Sequence, residues 1–270
     1  MPKFPLTAAL RAEYEQLFNS SIIRANRAAA VEALVNTLAA NRGRYEAVGA
    51  PMGIPWHFIA VIHNMESSQN FSRHLHNGDP LTARTVQVPA GRPKTGNPPF
   101  TWEESAADAL GMRGLGVGTD WSLSGTLYEL EGYNGFGYRK FHPHVLSPYL
   151  WSFSNHYTSG KYVADGTWSD TATSAQCGAA VLLRRMAERN LFAFADQPLP
   201  AATTPPMVVR YTMTKPTDPA ELARAIALQN WLSTHTGIFL KPDGIAGKNT
   251  SDAYRLGTGH YLPGDPRASI

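Results

Sequence analysis

Apolar residues recur at helical spacing over the first fifty positions. Leu10, Tyr14, Leu17 and Phe18 form one stripe, and Val31, Leu34, Val35 and Leu38 form a second, the pattern of helices that bury one face. The pattern then closes up. In Ile54-Pro-Trp-His-Phe-Ile-Ala-Val-Ile-His-Asn-Met-Glu-Ser-Ser68 the apolar side chains cover nearly every face, which predicts a buried helix. Pro55 suits its first turn, where a missing N–H costs nothing. Glu66 is the sole acid in that run.

Beyond it the periodicity is lost. Asn77-Gly78 and Asp79-Pro80 are turn chemistry, and Thr85 to Val88 is a short β-branched stretch that predicts a strand. Ala90 to Pro99 is a Gly/Pro-rich loop, and Thr101-Trp-Glu-Glu104 is a capping box opening a helix through Leu110. Further helices are predicted over Leu123–Leu130 and from about Thr173 to Asn190. Proline, threonine and alanine dominate 196–219, as in a linker. Helical spacing resumes from Pro219 to Thr234. The expected organisation is a mainly α (α+β) domain over 1–195, a linker over 196–216 and a small helical module over 217–270.

Composition narrows the class. The chain has 270 residues, 43% of them hydrophobic and 17% charged, with a net charge of +3; these are ordinary values for a globular protein. His and Glu interrupt the longest apolar stretch, so no stable membrane insertion is expected. Met1-Pro-Lys-Phe-Pro has no apolar segment after its lysine, so synthesis in the cytoplasm without a signal peptide is expected. A mildly basic protein is drawn to polyanions, but no Lys/Arg run marks a nucleic-acid arm. Cys177 is the single cysteine, which excludes an intramolecular disulfide; a buried, inert thiol inside a helix is expected.

Glu66 carries the chemistry. A carboxylate in apolar surroundings at the negative end of a helix has a raised pKa, which is what a proton donor near neutral pH needs. A Glu-Ser pair ending an apolar helix, followed some sixty residues on by Leu130-Glu-Gly-Tyr-Asn-Gly-Phe-Gly-Tyr138, resembles the lysozyme-like superfamily of phage lysozymes and lytic transglycosylases. The resemblance spans roughly residues 50 to 160. Between the two motifs stands Gly111-Met-Arg-Gly-Leu-Gly-Val-Gly118 rather than a Gly-Leu-Met-Gln-type signature, so the likeness is to the superfamily and not to one transglycosylase family.

The resemblance implies a helical lysozyme-like domain with a small β-hairpin region, cutting peptidoglycan glycan between N-acetylmuramic acid and N-acetylglucosamine. It implies Glu66 as general acid, with Asp79 and Thr85 activating a water on the opposite face of the sugar; Thr82 is a substitute for Thr85. Tyr133, Asn134 and Gly135 would bind sugar. An inverting hydrolase needs that second group, whereas a lytic transglycosylase needs one carboxylate and leaves a 1,6-anhydro end. The Tyr-Asn-Gly segment favours the transglycosylase, but Asp79 and Thr85 tip the expectation to a hydrolase, a muramidase, with the lytic transglycosylase as the alternative.

At the C-terminal end, Leu228-Gln229 and the spacing of Asp243, Gly244, Gly247 and Thr250 resemble the small peptidoglycan-binding module. An endolysin acting as a monomer on the bacterial wall, with no cofactor, no metal and no nucleic-acid partner, is the expectation. Two rivals stand beside it. One is a non-catalytic wall-binding protein with a degenerate lysozyme domain. The other is a zinc amidase built on His57, His63, His74, His76, His142 and His144, against which the spacing argues, because no His-Glu-x-x-His is present.

Overall fold

The computed structural model describes residues 4–164, 166–189, 191–196, 207–233, 235 and 238–268. Asn190 and Thr234, where two predicted helices end, and most of the linker at 197–206 lie outside these residues. The described chain holds eleven α-helices, a 3-10 turn at Ala25–Arg27 and one two-stranded antiparallel sheet. It divides into two compact units, one of residues 1–7 and 22–183, the other of 8–21 and 184–270.

In the first unit, α3 (Arg42–Met52) packs against α2 (Ala28–Ala40), α4 (Trp56–Ser67) and α5 (Trp102–Met112). They are followed by α6 (Leu123–Asn134), α7 (Gly137–Phe141), α8 (Pro148–Trp151), the hairpin β1 (Lys161–Ala164) and β2 (Thr167–Ser169), and the start of α9 (Ala179–Glu188). The buried helix predicted from the closed apolar pattern is α4: Phe58, Ile59, Ala60, Val61 and Ile62 are all fully enclosed. The capping box also forms. Thr101 Oγ1 accepts from Glu104 N at 3.2 Å, and Glu104 Oε2 accepts from Thr101 N at 2.7 Å, so each end of the motif satisfies an orphan donor of α5.

Three expectations are corrected. Residues 85–88 form no strand; the small sheet lies at 161–169, with Tyr162 opposite Trp168. Helix α6 runs four residues beyond Leu130, so Tyr133 and Asn134 sit in its last turn. Helix α9 begins at Ala179 and not near Thr173. Cys177 therefore precedes the helix, though it is buried, and burial raises its thiol to about 12.

The second unit consists of α1 (Ala8–Asn19), residues 184–196, α10 (Pro219–Leu232) and α11 (Lys248–Thr258) with their connections. The sequence assigns 8–21 and 184–195 to the first domain; here they belong with the C-terminal helices. Phe18 meets Phe194 and Phe239 edge-on at 5.5 and 5.1 Å. Arg184 donates to the Phe18 and Phe239 carbonyls, and Lys241 pairs with Glu15 at 2.5 Å. The apolar stripe of α1 thus finds its partners about two hundred residues away in sequence, which periodicity cannot report.

Leu228, Leu232, Ile238, Leu240, Ala246, Ala253 and Leu262 form the core of this unit. Its Asp-Gly turn is fixed sterically. Gly244 has φ +79°, a conformation that favours glycine, and a Cβ there would also have to displace the Leu222 Cδ1 methyl, 2.2 Å away.

Candidate active site

Helix α4 ends in an unusual way. Ser68 and Gln69, neither a glycine, both take positive φ, 52° and 62°. Such residues cost about 1–3 kcal/mol each and persist only where the surroundings enforce them. Here Ser68 N and Gln69 N donate to the Asn64 and His63 carbonyls, and the Gln69 amide donates to Asn64 Oδ1 at 2.9 Å. Gln176 Nε2 closes another orphan carbonyl of the last turn, donating to Met65 O at 2.8 Å. Glu66 is held in this tightly clasped turn.

Tyr149 Oη, on α8, donates to Glu66 Oε1 at 3.0 Å. Burial raises the Glu66 pKa, while this hydrogen bond and the Arg113 charge pull against the rise. Burial, and then the Glu66 charge, push Tyr149 well above the usual phenol range, and Tyr133 is raised by the same two causes. The Arg113 guanidinium lies 4.3 Å from the centre of the Tyr133 ring. Glu66, Tyr149, Tyr133 and Arg113 thus form one group: a carboxylic acid whose pKa burial raises, two phenols raised by the same burial, and one cation.

Beside it opens a cleft of about 290 Å³, lined among others by Asn134, Gly135, Tyr138, Tyr149, Tyr162 and Gln176. The structure therefore brings Asn134 and Gly135 to a cleft that Tyr149 links to Glu66 and Gln176 links to the last turn of α4. Asn134 is exposed, and Gly135 takes φ 84°; Tyr133 is buried behind them. Of the aromatic residues downstream, Trp151, Phe153 and Tyr157 are core. Tyr162 faces the cleft, and Trp168, paired with it across the hairpin, stacks on His142 at 3.5 Å. Glu131 does not face solvent; it is buried and accepts from Arg139 Nε at 2.8 Å.

Asp79 and Thr85 are placed differently. The Asp79 loop runs past the end of α4, where a Cβ on Gly78 would stand 3.4 Å from the Glu66 carbonyl oxygen. The Asp79 carboxylate, however, is engaged within its own loop. Oδ2 accepts from Val86 N at 2.8 Å, Gln87 N at 3.1 Å and Asn77 Nδ2 at 3.1 Å. These hydrogen bonds, led by that from Gln87, hold its pKa below the ordinary value. They also explain the missing strand, because the amides of 86 and 87 turn to the carboxylate. Thr85 is buried; its Oγ1 donates to Pro89 O at 2.5 Å and accepts from Arg92 N at 2.9 Å. Thr82 is exposed in the adjoining turn.

The histidines scatter among structural roles. Burial lowers His57 to about 3 and His63 to about 4, and His63 Nδ1 stands 3.0 Å from Tyr45 Oη. His74 and His76 meet Ser105 Oγ at 2.8 and 3.4 Å, and His76 Nε2 is 2.8 Å from Asp108. This Ser-His-Asp chain is no nucleophile, since Ser105 is fully buried inside α5; it ties the 74–76 turn to that helix. Among the described residues, no three His, Cys, Asp or Glu side chains converge as a metal site, and no helix is long and apolar enough to cross a membrane.

Sequence reasoning missed Gln176 and Arg113 as parts of the site and did not single out Tyr149. Tyr149 lies in an aromatic-rich run, Pro148 to Phe153, with nothing to single it out. Comparison of the chain with protein-family models, curated proteins and solved structures finds no match.

The Tyr149–Glu66 bond makes a pH prediction. Removing its donor with Tyr149→Phe takes away an interaction that lowers the Glu66 pKa. The acid then stays protonated to higher pH, so the titration of the Glu66 carboxyl, followed by NMR, should move upward. A titration unmoved in a folded variant would separate Tyr149 from the titrating group.

Proposed function

We propose that this protein cleaves the glycan strand of bacterial peptidoglycan between N-acetylmuramic acid and N-acetylglucosamine, on a lysozyme-like scaffold, with Glu66 as the general acid. The observation that carries this reading is a carboxylic acid with a raised pKa, hydrogen-bonded by Tyr149, beside an aromatic cleft to which Asn134 and Gly135 contribute. Protonation of the glycosidic oxygen needs such an acid, and tyrosine faces suit the C–H surfaces of a sugar. The resemblance of the C-terminal unit to a peptidoglycan-binding module supports the same substrate.

Between the two product outcomes, the hydrogen bonding of Asp79 and Thr85 favours lytic transglycosylation over hydrolysis. Oδ2 of Asp79 accepts three bonds from its own loop, and the Thr85 hydroxyl proton is given to Pro89 O. Neither group is disposed to hold a water against a sugar. In the transglycosylase route Glu66 gives its proton to the leaving oxygen. It then takes one from the muramic acid 6-hydroxyl as that oxygen closes onto the anomeric carbon.

Mass spectrometry of the products released from sacculi tests this. The expected products are 1,6-anhydro ends, lighter by one water, with Asp79→Asn still active. Reducing ends, together with an inactive but folded Asp79→Asn, would restore Asp79 as the second catalytic group. No release at all would favour a non-catalytic wall-binding protein.

A further inference from the structure

The residues that make the C-terminal unit resemble a wall-binding module are engaged with one another. Gln229 is buried; its Nε2 donates to Asp243 Oδ1 at 2.8 Å, Thr250 Oγ1 at 3.1 Å and Ile245 O at 3.2 Å, and its Oε1 accepts from Gly244 N at 2.9 Å. Thr250 Oγ1 itself donates to Ile245 O. This set builds the turn into α11 and presents little to a ligand, so a binding surface has to be sought elsewhere on the unit.

A cavity of about 640 Å³ lies in the same unit, along the segment from Val208 to Thr217 and the first turns of α10. Its charged lining is one-sided: Arg210, Lys215 and Arg224 stand against Glu221 alone. Two of the cations are already positioned. Arg224 Nε donates to Ala220 O at 3.2 Å. Arg210 packs over Gly264, where a Cβ would come within 3.3 Å of Arg210 Nη2, so the bare backbone at φ +85° gives the guanidinium its seat. Tyr211 and Ala225 add apolar wall.

We propose that this cavity binds the stem peptide of peptidoglycan through its free carboxylates. Charge complementarity selects that ligand, because the glycan itself is largely uncharged and would leave three cations desolvated without a partner. Guanidinium groups pair with carboxylates in fork geometry, and Glu221 supplies the acceptor for the single amine that such a peptide carries. The inference rests on the wall-binding reading of this unit but not on the role of Glu66.

The test uses the full chain carrying Glu66→Gln, so that the wall is not consumed, with and without the surface pair Lys215→Gln/Arg224→Gln. Binding is measured to intact sacculi, to sacculi stripped of stem peptides by an amidase, and to sacculi freed of phosphodiester polymers by hydrofluoric acid. Binding should weaken at least about tenfold in the double variant and on peptide-stripped glycan, and should survive the acid treatment. A soluble tetrapeptide stem should compete. Equal binding by the double variant overturns the site, and equal binding to stripped glycan overturns the ligand. Loss after acid treatment assigns the cations to a phosphate polymer instead. Failure of the full chain to bind any sacculus removes the wall-binding reading itself, and the site with it.

Discussion

Glu66→Gln is expected to lower glycan-strand cleavage by at least about a hundredfold, the scale on which a positioned general acid acts. The substitution keeps the shape of the side chain and its ability to accept from Tyr149 Oη, and it removes only the proton. Stability should move the other way. Burial raises the pKa of Glu66 in the folded protein, so the folded state holds this proton more firmly than the unfolded chain does. Stability therefore falls as pH rises from the ordinary glutamate range through the folded value. A glutamine has no such dependence. The variant should be as stable as the parent in acid and at least as stable near neutrality. Turbidity clearing measured beside thermal unfolding at two pH values checks both halves. A folded glutamine variant that still clears walls would falsify the assignment of the acid.

Much of this was legible in the sequence where a local rule governs. The all-round apolar cover of α4 marks its burial, and with it the setting of Glu66. The Thr101–Glu104 box forms as written, because its bonds span three residues. Asn134 and Gly135 reach the cleft because the last turn of α6 and its C-cap carry them there.

The failures share a cause. Whether Thr85 to Val88 pairs as a strand depends on who takes the amides of 86 and 87, and a turn aspartate seven residues earlier takes them. The hairpin that does form carries its own signal, Asp165-Gly166 between β-branched and aromatic residues. Tyr149 and Gln176 reach Glu66 and α4 across 83 and 111 residues of chain. No periodicity encodes such a meeting. The two compact units cut across the expected boundary for the same reason, since α1 joins the far end of the chain through Phe18 and Glu15.

Gln229→Ala should be the most damaging single change in the C-terminal unit. The side chain is almost wholly enclosed; its two N–H groups are shared among three acceptors, and its Oε1 accepts from Gly244 N. Truncation leaves the Gly244 amide without its acceptor and opens a cavity beside the Asp243–Ile245 turn. An unsatisfied buried group costs about 1–3 kcal/mol, and the cavity adds to that, so a loss of about 2–4 kcal/mol is expected. Asp243 retains Ile245 N, which donates to its Oδ1 at 2.8 Å, so the turn is loosened rather than erased. Hydrogen exchange reports the change where it occurs. Amide protection in α10 and α11 should fall by about thirty- to a thousandfold, since each 1.4 kcal/mol is a factor of ten. Protection in α4 should be unchanged, and release of soluble glycan fragments should persist, because Glu66, Tyr149 and Arg113 all belong to the other unit. Wild-type protection in α10 would mean that the Gln229 network decorates the turn without holding it.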